Sequence, residues 1–507
     1  MKRTIRLISL IAVFAMVSSI ISSCNKKVDE FGATDENGIK TYTLVMLNHG
    51  VTLPTKKPKY YEEIQEKINE KLVKDLGFKI EFNVKSLPDD TMGEKLNIDL
   101  AANVSYDLVR MADKTVLANY VDQGLAKDLT QYVNNSKNLK ANIGDKVWKE
   151  VSINDKIYGI PMPAYPIYAS SWIRGDMFEK EGLSVPTTLP ELENAMAKIK
   201  KNQLNEQDTI VWAITLSELE SFLLGNFTDT PGDYIASDGQ IMPKIFNPGY
   251  KEFIAKLAQW YKAGYIDDFL FNGNNNTSAD LVNKTRAAIC GTNLWMLEYG
   301  TLKAIDKAKP QYKIQFMPQL SDSKKYYSPG LATEYLWVPD SAKNPEIAVK
   351  FEDWCLYNEE NYNLVNYGLE GKTYISQDGT KELPPTEAND KIKIFSDLMG
   401  AFNIGYNLKY NLKGMSKTVP AESIKAYNLY GNTDLNRIYV PVTVYTNTKL
   451  ADDVKTKRAE ATAATVETVA NIIKGKADIS SYDSMLQKYK QMGGLLAYDE
   501  FTKVYKP

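Results

Sequence analysis

A single imidazole, His49, stands in a chain of 507 residues. Zinc sites of the HExxH or multi-histidine kind need more than one, so they are excluded, and so is any mechanism with two imidazole catalysts. Gly371-Lys372-Thr373 ends like a phosphate-binding loop, but the full pattern requires glycine where Asn366 stands. The stretch NGNNNTSAD over 272–280 is rich in oxygen ligands yet lacks EF-hand spacing, and it reads as a polar loop. No cofactor and no metal site is expected. Cys290 and Cys355 sit among apolar residues, in AAIC and DWCLY, and read as buried free thiols. Carboxylates are plentiful, so composition alone does not forbid a surface glycoside hydrolase or lyase, which needs two of them opposed across a cleft. Lys plus Arg is 61 against 63 for Asp plus Glu; that balance lacks the basic field of a nucleic-acid binder. The 32 Tyr, 16 Phe and 7 Trp are a large stock of rings. Trp260 and Trp354 fall on apolar helix faces and read as core.

The elements that must position such residues follow a strand–helix grammar. YTLVML (42–47) is a short apolar run expected as a buried strand. Ile64, Ile68, Leu72 and Leu76 recur at helical spacing over 61–76, with Gly77 as the stop. Phe78, Ile80, Phe82 and Val84 alternate as a strand, Leu96 and Leu100 suit a helix, and YDLVRM (106–111) is another buried strand. This order predicts an α/β layer with parallel strands, whose ligands bind beyond the C-terminal strand ends. Asn48-His49-Gly50 and Met111-Ala112-Asp113 lie at two such ends. NDKIYG (154–159) reads as a hairpin. Thr188 and Glu191 form a capping box ahead of Leu192, Ala195, Met196 and Ile199. Further helices are expected over about 250–263, from Pro345, and through most of 450–507; strands are expected at 285–290 and 335–338.

The first residues belong to no fold. Lys2, Arg3 and Arg6 precede an apolar stretch from Leu7 to Ile21, as in a secretory signal. Ile21-Ser22-Ser23-Cys24 resembles the lipobox of bacterial lipoproteins, in which the cysteine is lipidated and becomes the first mature residue. That resemblance implies a protein lipid-anchored on the extracellular face of the bacterial cytoplasmic membrane. Losing residues 1–23 removes three positive charges and takes the net charge from −2 to −5. Residues 24–40 read as a flexible tether.

Four consecutive stretches resemble one family, the family 1 extracellular solute-binding lipoproteins of bacterial ABC importers, in the large branch associated with oligosaccharide uptake. They are SYDLVRM…YVDQGLAKDLTQYV (105–133), DKIYGIPMP…SWIRGDMFEKEGLSVPTTLPEL (155–192), FNPGYKEFIAKLAQWYKAGYIDDFL (246–270) and SAKNPEIAVKFEDWCLYNEENYNLVNYGLEGKTY (341–374). One departure is Leu189, where many members carry an aromatic. The resemblance implies an α/β, two-lobed periplasmic-binding-protein-like fold of type II, with ligand in a cleft between lobes joined by hinge segments. Residues 41–166 and 317–365 would form lobe 1; 167–316 and 366–507 would form lobe 2 with the C-terminal helices.

Sugars offer apolar C–H faces and rims of hydroxyls, so a site for them needs flat rings and a few planar polar groups. In the layout the resemblance implies, Trp172, Trp295, Tyr168 and Tyr327 fall at crossing or loop positions and suit stacking. Asp113, His49 and Asn293 are the polar candidates, and Tyr367 with Glu370 sits in a loop near the lobe junction. The function implied is non-enzymatic: a monomeric, lipid-anchored protein that captures an oligosaccharide and delivers it to an ABC permease, with no nucleic-acid partner. A binding protein for peptide or another polar solute shares the same fold, a hydrolase or lyase is the enzymatic alternative, and a lipoprotein adhesin without transport is a fourth reading.

Overall fold

A computed structural model describes residues 34–50, 53, 55–88, 91–111, 114–162, 169–297, 301–320, 326–328, 334–377, 380–382, 398, 400–413, 420–430, 437–439 and 450–504. The apolar run at 42–47 becomes strand β1 (Lys40–His49), with Leu44, Met46 and Leu47 fully buried. The chain does not reach it from a loose tether throughout. Thr34 bridges Lys40, Asp35 turns the chain by accepting the amides of Asn37 and Ile39, and its carboxylate pairs with Lys79 at 2.8 Å. The segment expected as tether over 24–40 is therefore structured from residue 34 onward.

Helix α1 (Tyr61–Leu76) buries Ile64, Ile68 and Leu72 on one face, as the spacing requires. It stops at Gly77, which takes φ 81°, a left-handed value that suits glycine. Strand β2 (Phe78–Leu87) pairs in parallel with β1 along its whole length. Helix α2 (Met92–Ala101) leads to β3 (Leu108–Met111), parallel to β1 on its other side. A hairpin over 152–157, turned by Asn154 and Asp155 at positive φ, precedes β4 (Gly159–Pro161).

The chain then builds a second sheet. Its elements are β5 (Ala169–Arg174), α3 (Leu189–Asn202), β6 (Trp212–Ala213), α4 (Leu216–Leu223), α5 (Pro248–Lys262), β7 (Ile289–Asn293) and β8 (Ile314–Met317). The strand order is β8-β5-β7-β6. The capping box opening α3 is present, with Glu191 N–H donating to Thr188 Oγ1 and Glu191 accepting from the Thr188 amide. The strand expected from Thr285 begins only at Ile289, because Thr285 adopts φ 58° and turns. Alternation along β5 splits its side chains. Ile173 joins a core with α3, α4 and α5, and Trp172 joins the core on the other face with Cys290 and Phe316.

After β9 (Tyr326–Ser328) the chain returns with β10 (Tyr335–Trp337), which inserts between β3 and β4, antiparallel to both. The first sheet thus reads β2-β1-β3-β10-β4. Helices α6 (Pro345–Leu356) and α7 (Glu359–Tyr367) pack beside it. The return does not end near 365, as expected. Tyr367, Tyr374, Phe402 and Ile404 belong to the same core as β1 and β10, and Phe402 stacks on Tyr61 at 4.5 Å. The described residues from 367 to 413 therefore stay with lobe 1. The crossing to lobe 2 falls before α8 (Ala421–Tyr430), whose Ala426 and Tyr430 pack with Trp172 and Phe316. Strand β11 (Arg437–Tyr439) pairs in parallel with β9. Helices α9 (Asp452–Ile473) and α10 (Ser481–Gln491) add Val469, Ile472, Tyr482 and Tyr489 to the lobe 2 core, and α11 (Leu496–Val504) closes the tail.

Cys290 and Cys355 are both free and buried, and they lie in different lobes. Burial pushes both thiols up from their ordinary range. Glu352 on α6 is the costlier buried group. It is 0% exposed, and neither carboxylate oxygen has a hydrogen-bond partner among the described residues. Burial pushes its pKa up from 4.5 to about 8, so the folded protein carries it as the neutral acid at pH 7. The folded state then holds a proton that the unfolded chain gives up above its ordinary carboxylate value. Stability must fall as pH rises from the unfolded toward the folded value, by up to about 1.4 kcal/mol per pH unit. Replacing Glu352→Gln removes this titration. Denaturation measured from pH 5 to 8 should show a flatter decline for the variant, and parallel slopes would refute the assignment.

Candidate functional site

The crossings fix which ends of the two sheets meet. In lobe 1, β1 ends at Asn48 and His49, β3 ends at Arg110 and Met111, β4 ends at Pro161, and β10 begins just after Glu334. In lobe 2, β5 begins at Ala169, β7 ends at Asn293 and β8 ends at Met317. Chain leaves lobe 1 after Met162 and enters lobe 2 at Ala169, a span of about seven residues that reaches at most about 25 Å. The C-terminal ends of β1 and β3 therefore look toward the hinge end of the second sheet, the place where open α/β sheets take ligands.

At the lobe 1 side of this cleft the side chains form a tight polar cluster. Arg110 stands on β3 with neighbours Leu108, Val109 and Met111 buried. Its Nε and Nη2 donate to Glu334 Oε2 at 2.7 and 2.5 Å, and its Nη1 reaches Asn48 Oδ1 at 3.4 Å. The guanidinium lies 5.2 Å from the centroid of the Tyr406 ring, within cation–π range. Arg110 and Glu334 keep 19% and 11% of their side-chain surface, and Asn48 is 2% exposed. An ion pair this close and this shielded is stronger than a surface pair, and two donors of one guanidinium fix its plane.

Each member is held by backbone. The Glu334 carbonyl accepts the Met162 amide at 3.0 Å, which ties the outgoing crossing to the returning one. Tyr406 is carried by a loop that Asn403 and Asn407 brace. Asn403 accepts the Gly405 amide, and Asn407 donates to the Leu356 carbonyl and accepts the Lys409 amide. Gly400 in the same loop takes φ 80°, a left-handed value that suits glycine.

Of the residues expected from sequence, His49 lies where anticipated, half-buried at the end of β1. Asn293 ends β7 with its backbone paired to Ala169, and Trp295 follows in the 3-10 turn Leu294–Leu297. Tyr327 lies on β9 in the second crossing, paired with Ile438. Asp113 and Tyr168 lie outside the described residues, as does Cys24. Trp172 is a correction. It is 1% exposed, packs 5.7 Å from Phe316 inside the lobe 2 core, and offers no face to the cleft. Alternation on a strand buried from both sides sends its ring inward. Tyr367 is likewise core, 8% exposed, with its hydroxyl donating to Asn411 Oδ1 at 3.0 Å. Glu370 is exposed on the outer flank, in a shallow depression of about 870 Å³ between the later turns of α1 and α7 that also takes in Lys71 and Glu360.

Sequence reasoning missed Arg110, Glu334 and Tyr406. The signal for Arg110 was present: a charge inside the otherwise apolar strand LVRM needs a partner. Among the described residues no group of three or more His, Cys, Asp or Glu could hold a metal. No described helix is long and apolar enough to cross a membrane.

A sequence model of the bacterial extracellular solute-binding proteins matches residues 63–369. Lipoprotein LipO of Bacillus subtilis is 21% identical over 455 residues, covering 84% of this chain and 86% of that protein. A carbohydrate ABC transporter substrate-binding protein of Streptococcus pneumoniae is 22% identical over 69% of this chain and 70% of its own. Among solved structures, the N-glycan transport solute binding protein of S. pneumoniae superposes with a TM-score of 0.63 at 18% identity, over 92% of this chain and 100% of that one. The alginate-binding protein AlgQ2 gives 0.61 at 15%, over 92% and 98%. At these identities the likeness to the solved structures is one of fold.

The placement of Trp172 is testable. Trp172→Ala should lower unfolding free energy by about 3–5 kcal/mol, as for other large buried rings. Urea denaturation measures this, and a loss below about 1 kcal/mol would return the ring to the cleft surface.

Proposed function

The chain belongs to the bacterial extracellular solute-binding proteins, and on that premise we propose that it captures an oligosaccharide outside the cell and hands it to an ABC importer permease. The observation that carries the reading is the cleft itself. Ligand-side strand ends of two sheets are joined by short crossings, and lobe 1 lines its side with a braced group of arginine, carboxylate, amide and tyrosine ring. That is the mix of planar hydrogen-bonding groups and flat apolar faces that sugars demand. Relatives named for carbohydrate transport support the cargo class. Trp295, which follows β7, is the proposed stacking ring of lobe 2, with Asn293 as a polar partner, Tyr327 in the second crossing and His49 on lobe 1; Asp113 and Tyr168 are proposed as contacts from the sequence alone.

Ligand touching both lobes favours the closed arrangement by the difference between its affinities for closed and open forms, and the permease must discriminate the two forms in turn. The chain acts as a monomer and does no chemistry on its cargo. Cys24 carries the lipid that keeps it at the membrane surface.

Thermal unfolding of residues 25–507 against panels of glycans and peptides tests the cargo. A ligand present at 100 times its dissociation constant should stabilise by about 2.7 kcal/mol. One glycan class should raise the midpoint and be recovered intact. A shift with peptides alone would replace the cargo, and cleaved glycan would replace the function. Trp295→Ala should weaken glycan binding at least about tenfold, a cost of about 1.4 kcal/mol, with unchanged unfolding; an unchanged dissociation constant would take the ring out of the site. Cys24→Ser should move the full chain from the membrane fraction to the soluble one, and continued sedimentation with membranes would refute the anchor.

A further inference from the structure

The arginine at the ligand-side end of β3 is spent on an internal partner. Of the other arginines whose side chains are described, Arg174 lies at the far end of β5 on Asp176, Arg286 bonds the Asp208 carbonyl, and Arg458 stacks on Tyr498. Only Arg110, among them, stands at the ligand-side strand ends. Both of its contacts with Glu334 fall on Oε2, and no described contact falls on Oε1. On the neighbouring loop, Lys57 pairs with Glu62 at 2.6 Å. That loop also carries Lys56 and Lys59, both exposed, with Lys59 over the Tyr60 ring at 5.1 Å.

We propose that Glu334 sets the charge class of the cargo: by holding Arg110 in an internal ion pair it withholds the guanidinium from anionic sugars, so that the cleft takes an uncharged oligosaccharide. The proposal rests on the oligosaccharide reading above and narrows it. A uronic acid recognised by this cleft would need Arg110 as a bidentate partner for its carboxylate. It would instead meet Glu334 at the same place, a like charge in a partly shielded setting, and would give up its hydration without compensation. A neutral sugar meets no such conflict. Glu334 Oε1 is placed to accept from one hydroxyl, and the Arg110 fork stands beside it as a donor to the next, a spacing that suits vicinal hydroxyls. The same pair that rejects a carboxylate therefore serves a diol.

The test titrates the mature chain calorimetrically with neutral oligosaccharides and with galacturonic acid oligomers of matched length. Wild type should prefer the neutral set by at least about tenfold at low salt, and screening at about 1 M should narrow that preference. Glu334→Gln should shrink that preference by about tenfold through a gain for the uronate that high salt abolishes. Glu334→Asp, which keeps the carboxylate, should retain the wild-type preference. A wild-type preference for uronates overturns the proposal and leaves the oligosaccharide reading standing, and this arm decides even where a variant does not fold. Equal losses for both ligand sets in Glu334→Gln also overturn it, since they mark a pair that only braces the fold. Binding to peptides with neither glycan set bound removes the parent reading and this one together.

Discussion

The strand that completes lobe 1 arrives from elsewhere in the chain, and most of the architecture follows from that constraint. β10 sits between β3 and β4, antiparallel to both, with Tyr335, Leu336 and Trp337 entirely buried. Without it, β4 would have no partner in the sheet. The chain must therefore leave lobe 1 after β4, build the second sheet and come back, which produces two crossings at one pole of the molecule. The residue just ahead of β10 is then forced to lie at the ligand-side end of β3. Glu334 is that residue, and its meeting with Arg110 is a consequence of topology as much as of charge. All four strands of the lobe 2 sheet are in place in sequence before lobe 1 has its fifth.

What the sequence revealed was local. The apolar face of α1, the capping box of α3 and the run that becomes β1 are each specified by residues within a few positions of one another, and each stands where periodicity and capping chemistry put it. The free thiols were legible for the same reason, since their neighbours are apolar. Matters that depend on distant pairing were not. Arg110 and Glu334 are 224 positions apart, and no local pattern joins them. The last crossing was misplaced because the residues after α7 lack a period and are kept on lobe 1 by contacts such as Phe402 on Tyr61. Trp172 was misread because a ring near a crossing can face either way, and only the second layer formed by α8 shows that its side of the sheet is covered.

Lobe 1 tolerates two very different treatments of buried acid. Arg110 and Glu334 stay charged as a pair at the cleft, with part of each side chain exposed. Glu352, deeper under the 400–407 loop, has its second oxygen 3.0 Å from where a Cβ on Gly405 would lie, and it escapes the cost of burial by keeping its proton. The loop that carries Tyr406 thus spans a charged pair on one side and a neutral acid on the other.

The turn at residues 34–39 also fixes where the protein meets its surroundings. β1 runs from Lys40 to His49, so the start of the chain and the cleft lie at opposite ends of a strand about 30 Å long. The hydrogen bonds of Asp35 and its pair with Lys79 nail the chain to that far pole. A pull on the chain ahead of Thr34 is therefore borne at the pole away from the ligand-side strand ends.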